Sequence, residues 1–229
     1  MRRAFGTVAA DLWAWRFLAG LRREVDRVLP ARGRALADRT RDAARAVWEA
    51  ERDGLPDAQT GRIVATCALA LAADRLLAAE LADPADARAI VRAAFLGTWR
   101  APARLATWIA VRLVPRPAAA VGRFPFAWFM RRTYGAGVET RWEPRPAGGE
   151  LVVTRCGFHA FFAAHGAPEL RTLVCEWDRT WMDVLDAAPA AIRTERPVTI
   201  AAGGTECRFR FLADGVPRPA PPRDVALGR

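Results

Sequence analysis

The 229-residue chain contains no lysine, no serine and no asparagine, and only two histidines and one tyrosine. All 35 of its basic residues are therefore arginine. Without serine there is no Ser-His-Asp triad, and without lysine there is neither a Schiff base nor a P-loop. Four cysteines, Cys67, Cys156, Cys175 and Cys207, are too few for a disulfide scaffold at this length. They point to a reducing, cytoplasmic compartment. Long apolar runs are also missing: the Ala/Leu-rich stretch from Thr66 to Ala82 carries Asp74, Arg75 and Glu80. No membrane span is expected. Met1 to Phe5 resembles the start of a secretory leader, but Asp11, Arg16, Arg22 and Arg23 interrupt any apolar core behind it.

What is present suits a globular chain. Apolar residues make up 52% of the sequence, enough for a core, and the length allows one large or two small domains. The net charge is +10. Such charge attracts anions of every kind. However, the arginines are dispersed and run no longer than pairs such as Arg22-Arg23 and Arg131-Arg132. They read as a solvated basic surface, and no nucleic-acid partner is expected.

The first half is helical in period. Phe5, Val8, Leu12, Trp15 and Ala19 share the spacing of one helical face, as do Leu36, Ala43, Val47 and Ala50. A third helix is expected over about 60–81, with Ile63, Cys67, Ala70, Leu77 and Leu81 inward. A fourth opens with Asp83 as N-cap, Pro84 as first helical residue and Asp86 facing the dipole. Pro102 should interrupt or kink it before Pro115 stops it. A Pro-rich connector with a short helix, 116–137, then leads to a change of period. Two hairpins are expected, 138–142 with 151–154 and 196–200 with 206–212, with helices near 158–164 and 169–185 between them. The predicted fold is α+β: a helical region (1–115), the connector, a motif-bearing region (138–213) built on a four-stranded antiparallel sheet, and a loose tail (214–229).

Three cysteines and both histidines fall in the second half. Cys156 and His159 stand three apart at a helix start, where the dipole favours a thiolate and an imidazole can take its proton. Cys175 and Asp178 repeat the spacing on the next helix, beside Trp177 and Trp181, a drier setting that favours the neutral thiol. Taken singly, each has a plainer reading: cysteines as core filling, Asp178 as a solvated carboxylate, His159 as an interior histidine, His165 as a helix C-cap. Cys156, His159, Cys175 and Cys207 also contain the elements of a zinc set, but a second close ligand pair is missing. No metal and no cofactor are expected.

The order Arg155-Cys156, Pro168-Glu169-Leu170, Cys175-Glu176-Trp177-Asp178, Arg196, Thr199, Gly203, Cys207-Arg208-Phe209 resembles the L-2-amino-thiazoline-4-carboxylic acid hydrolase family. The likeness spans about 155–211. One departure is Arg208, where many family members carry Asp. The resemblance implies a hydrolase that opens a cyclic amidine-like C–N bond in a small anionic substrate. Either Cys156 or Cys175 could attack as thiolate while Asp178 or His159 moves protons, or Asp178 could activate water directly. Arg155, Arg193 or Arg196 would hold the substrate carboxylate, with Cys207 lining the pocket. Two other classes compete: a ligand-binding or thiol-sensing domain without turnover, and a basic adaptor. The adaptor would dock on membrane or nucleic acid through Trp13, Trp15 and Phe17 beside Arg16, Arg22 and Arg23. Association into a homo-oligomer fits any of the three.

Overall fold

A computed structural model describes residues 5, 8–113, 126–145, 148–187 and 192–213. Four long helices come first: α1 (Val8–Val28), α2 (Gly33–Glu51), α3 (Ala58–Glu80) and α4 (Pro84–Leu113). A short helix α5 (Phe126–Tyr134) leads into strands β1 (Val138–Arg145) and β2 (Gly148–Cys156). Helices α6 (Gly157–Ala164) and α7 (Thr172–Asp186) precede β3 (Ile192–Val198) and β4 (Cys207–Ala213). The fold is α+β as the period change predicts. Residues 116–125 of the expected connector and the tail 214–229 lie outside the described residues.

Phe5, Leu36, Ile63, Cys67, Ala70 and Leu77 are buried as expected, but the rest of the inward faces of α1 and α2 differ. In α1 the buried stripe is Ala10, Ala14, Phe17, Leu21 and Val25, while Leu12 and Trp15 are exposed. Both stripes satisfy helical spacing; the longer one also seats Gly20 against the backbone of Ala94 in α4. Trp13 stacks on Phe17 and meets Phe95 edge-on, so those aromatics serve the core rather than a docking face. In α2, Leu36, Thr40 and Ala44 turn inward while Ala43 and Ala50 are exposed. Between Ile63 and Ala73 helix α3 is buried on almost every side, because α1, α2, α4, α5 and α6 all pack around it. A helix apolar all round belongs at the centre of a fold. It starts earlier than its spacing predicts: Asp57 is the N-cap, its carboxylate accepting from the amide of Thr60 at 2.6 Å.

Asp83 caps α4 as expected, accepting from the amide of Ala85 at 2.7 Å. Pro102, however, does not interrupt that helix. A proline there lacks the N–H that would bond the carbonyl of Thr98, four residues back. The side chain of Arg16 supplies the missing donor, Nε to Thr98 O at 2.9 Å. A donor from a neighbouring helix thus replaces the one proline removed.

The four strands form one antiparallel sheet in the order β1-β2-β4-β3. Leu151, Val153, Cys207, Phe209 and Phe211 share its inner face, on which α7 lies through Trp181, whose ring packs on Phe209 and Phe211. Helix α6 packs instead against α3. The outer face is charged: buried Glu150 accepts from Arg208 at 2.7 Å and Arg210 at 3.1 Å. One cluster of buried side chains runs from Phe5 to Phe211 and joins helices and sheet.

Candidate active site

Two strand irregularities prepare the site. Between Glu139 and Thr140 the β1–β2 register shifts, leaving an extra residue, Thr154, in β2. The shift pairs Cys156 with buried Val138, so Cys156 takes the inward parity while Arg155 sits opposite Glu139. A second shift between Glu195 and Val198 places Arg196-Pro197 in a bulge of β3, an edge strand, where proline's missing N–H costs no ladder bond. Arg196 then lies over the ring of Phe209, 5.6 Å from its centroid.

The β3–β4 turn explains several motif residues. Thr199 caps a single helical turn, accepting from the amide of Ala202 at 3.2 Å, and Gly203 ends it at φ +91, a left-handed conformation that glycine adopts without strain. The turn aims the amide of Ile200 at the sulfur of Cys207, 3.2 Å away. Arg208, one residue on, has the opposite strand parity and joins the outer charge network. The departure from the family pattern at this position therefore faces away from the thiol.

Cys156, Cys175 and Cys207 all lie within electrostatic reach of Asp178, and Asp178, Cys175 and Cys207 within that of Arg196, where α7 meets the sheet. Asp178 is anchored on both carboxylate oxygens: Trp181 Nε1 donates to Oδ1 and Arg196 to Oδ2, each at 3.3 Å. Its side chain is 20% exposed and that of Arg196 13%, so the pair is shielded yet open to solvent. Burial pushes the Asp178 carboxyl up to about 6, against the pull of Arg196 and Trp181. Burial likewise lifts the thiols of Cys156, Cys175 and Cys207 to about 11 each. Cys156 is the N-cap of α6, and the amides of His159 and Phe158 favour its thiolate, but desolvation outweighs them. The activation expected of a helix start is absent for this reason.

The remaining residues divide clearly. Burial and the charge of Arg171 lower the pKa of the His159 ring, its Nδ1 is buried without a hydrogen-bond partner, and the hydrogen bond His159 gives Cys156 comes from its backbone amide. Arg155 bonds Glu139 and the carbonyl of Ala136, and Arg193 pairs with Glu195; neither joins the thiol group. His165 is the C-cap of α6 and binds Glu51 at 2.7 Å. Cys67 is fully buried in α3 beneath Cys156. Sequence reasoning missed Tyr134, the only tyrosine, which lies within reach of Asp178 and Cys156 and meets Phe158 edge-on. Its one signal is position: it ends the helix before Gly135 (φ +59), whose turn is pinned by Asp57 accepting from Ala136 N at 2.7 Å.

Among the described residues no three of His, Cys, Asp or Glu are arranged to hold a metal, and no helix is long and apolar enough to cross a membrane. No curated protein and no solved structure matches the chain. The family profile of L-2-amino-thiazoline-4-carboxylic acid hydrolases matches residues 63–211, extending the likeness from the motif region back through α3 and α4. That span is about two thirds of the sequence and includes every residue of the thiol–carboxylate group. The chain belongs to the L-2-amino-thiazoline-4-carboxylic acid hydrolase family.

Proposed function

We propose that the protein is a cytoplasmic hydrolase that opens a non-peptide C–N bond in a small cyclic amidine or amide bearing a carboxylate. The observation that carries this reading is Asp178, a shielded carboxyl at about 6 between Arg196 and three thiols at about 11. At neutral pH the carboxylate is ionised and the thiols are not. A general base near neutrality suits proton abstraction, whereas thiols at about 11 stay protonated there. Asp178 therefore activates water, and Cys156, Cys175 and Cys207 surround it as neutral thiols. Four free thiols suit a reducing compartment.

On binding, the substrate carboxylate takes the fork of Arg196, and its amidine N–H groups meet Asp178. Arg155 and Arg193, engaged elsewhere, are not needed for this. Water oxygen adds to the sp2 carbon as Asp178 accepts one of its protons and passes it to the ring nitrogen; the C–N bond then breaks as the proton of the new hydroxyl follows to that nitrogen by way of Asp178, leaving a carbonyl and an amine. The test is turnover of L-2-amino-thiazoline-4-carboxylate and related cyclic amidines in 18O water, with mass analysis of product and protein. One 18O in the product and no mass added to the enzyme are expected. A covalent adduct on Cys156 or Cys175 would assign the attack to sulfur, and stoichiometric binding without product would favour a non-catalytic domain.

A further inference from the structure

From Ala87 to Val138 the chain carries nine arginines and no aspartate or glutamate. With 25 acidic residues in 229, a stretch of that length would hold about six. The same stretch contains the second half of α4, which carries an exposed apolar stripe. Leu105 is 58% exposed, Trp108 48%, Ile109 40% and Leu113 75%. Their spacing places them on one side of the helix. Arg112 lies over the ring of Trp108, 4.8 Å from its centroid, and neither Arg104 nor Arg112 is paired with a carboxylate among the described residues.

The exposure has a structural cause. Helices α1 and α4 run antiparallel, with Gly20 against Ala94 and Arg16 against Thr98. Because α1 begins at Val8, the last two turns of α4 run past its end. Arg104, Leu105, Trp108 and Arg112 line the α4 side of a cleft of about 340 Å³ whose other side is Val184 and Ala187 of α7.

We propose that the end of α4 docks on the interface of an anionic phospholipid bilayer, with Leu105, Trp108, Ile109 and Leu113 entering the acyl boundary and Arg104 and Arg112 binding lipid phosphates. Large aliphatic side chains beside tryptophan and arginine suit that interface, where guanidinium groups remain with the headgroups while their stems lie in apolar surroundings. Single-stranded RNA would use the arginines and Trp108 but has no use for three exposed aliphatic residues. A second copy of this chain meeting the same face across a two-fold axis would oppose arginine to arginine with no carboxylate to relieve them.

The experiment is sedimentation of the full-length protein with vesicles of phosphatidylcholine alone and of phosphatidylcholine mixed with phosphatidylglycerol. Binding is expected to the mixed vesicles only. Arg104→Gln with Arg112→Gln should weaken it about 25-fold, since each arginine near such a surface contributes about fivefold. Leu105→Gln with Ile109→Gln, which leaves the charge unchanged, should abolish detectable binding while the thermal melt stays that of the parent. Absence of binding to the mixed vesicles, or binding that neither variant reduces, overturns the proposal. So does an affinity for single-stranded RNA lost in the arginine variant and kept in the glutamine-for-aliphatic one, with no vesicle binding. A dimer that the Leu105→Gln, Ile109→Gln pair dissociates, again without vesicle binding, overturns it in favour of self-association.

Discussion

At the scale of single residues, the chemistry turns on desolvation. Asp178 accepts bonds from Trp181 and Arg196, yet its carboxyl lies at about 6 because burial outweighs both. As a general base it works only when ionised, so kcat/KM should rise with pH and level off above about 6. Asp178→Asn should cut the rate by about 10²- to 10⁴-fold and remove that step from the profile. The same burial affects stability. Unfolded, the group loses its proton near 3.8; folded, near 6. Below 3.8 both states are protonated and nothing is lost; as pH rises to 6, ionisation weighs against the fold, on the order of 3 kcal/mol. Asp178→Asn should therefore melt with the parent near pH 4 and above it at pH 7, and a variant less stable at pH 7 would contradict the burial argument. The thiols at about 11 imply that iodoacetamide reacts slowly with Cys156 and Cys175 at pH 7 and faster only toward pH 11. Cys175→Ala should then cost less than about tenfold in rate, and Cys67→Ala only about 1 kcal/mol of packing. Rapid alkylation at neutral pH would return sulfur to the role of nucleophile.

At the scale of elements, orphaned backbone groups explain unexpected continuity. Helix α4 runs through Pro102 because Arg16, eighty-two residues away, bonds the carbonyl that proline leaves free. Arg16→Ala should cost about 1–2 kcal/mol. In a Pro102→Ala background the new amide would bond Thr98 itself, and most of that cost should vanish. Denaturant unfolding of the two single variants and the double variant measures the coupling; strictly additive changes would refute the exchange of donors. The two bulges matter in the same local way. An extra residue in β2 gives Cys156 the inward parity, and another in β3 carries Arg196 to Asp178. Pro197 inside a strand is the one sequence signal of either. Nothing in the spelling of Val153-Thr154-Arg155 marks the other.

At the scale of the whole molecule, α3 is the common axis. It packs on helices of the first half and on α5 and α6 of the second, and the buried cluster continues to Phe211. A protein with one core should unfold in one step. Far-ultraviolet circular dichroism and tryptophan fluorescence, with reporters at Trp13 and Trp48 and at Trp142 and Trp181, should give coincident urea transitions. Two separated transitions would mean that the helical and motif-bearing regions unfold as separate domains.

Short-range physics is legible in neighbouring letters. Asp83 and Pro84 mark the start of α4, the switch from a period near 3.6 to one of 2 separates helices from hairpins, and motif spacing identifies the family. The tertiary structure decided which stripe of α1 turns inward, that α3 is surrounded on almost every side between Ile63 and Ala73, and that Arg196, not Arg155 or Arg193, reaches Asp178. It also decided that Cys156 stays a neutral thiol despite its place at a helix start. Caps and periods act over a few residues and can be read from neighbouring letters. Register, burial and desolvation are sums over side chains distant in sequence, and they exist only once the chain has folded.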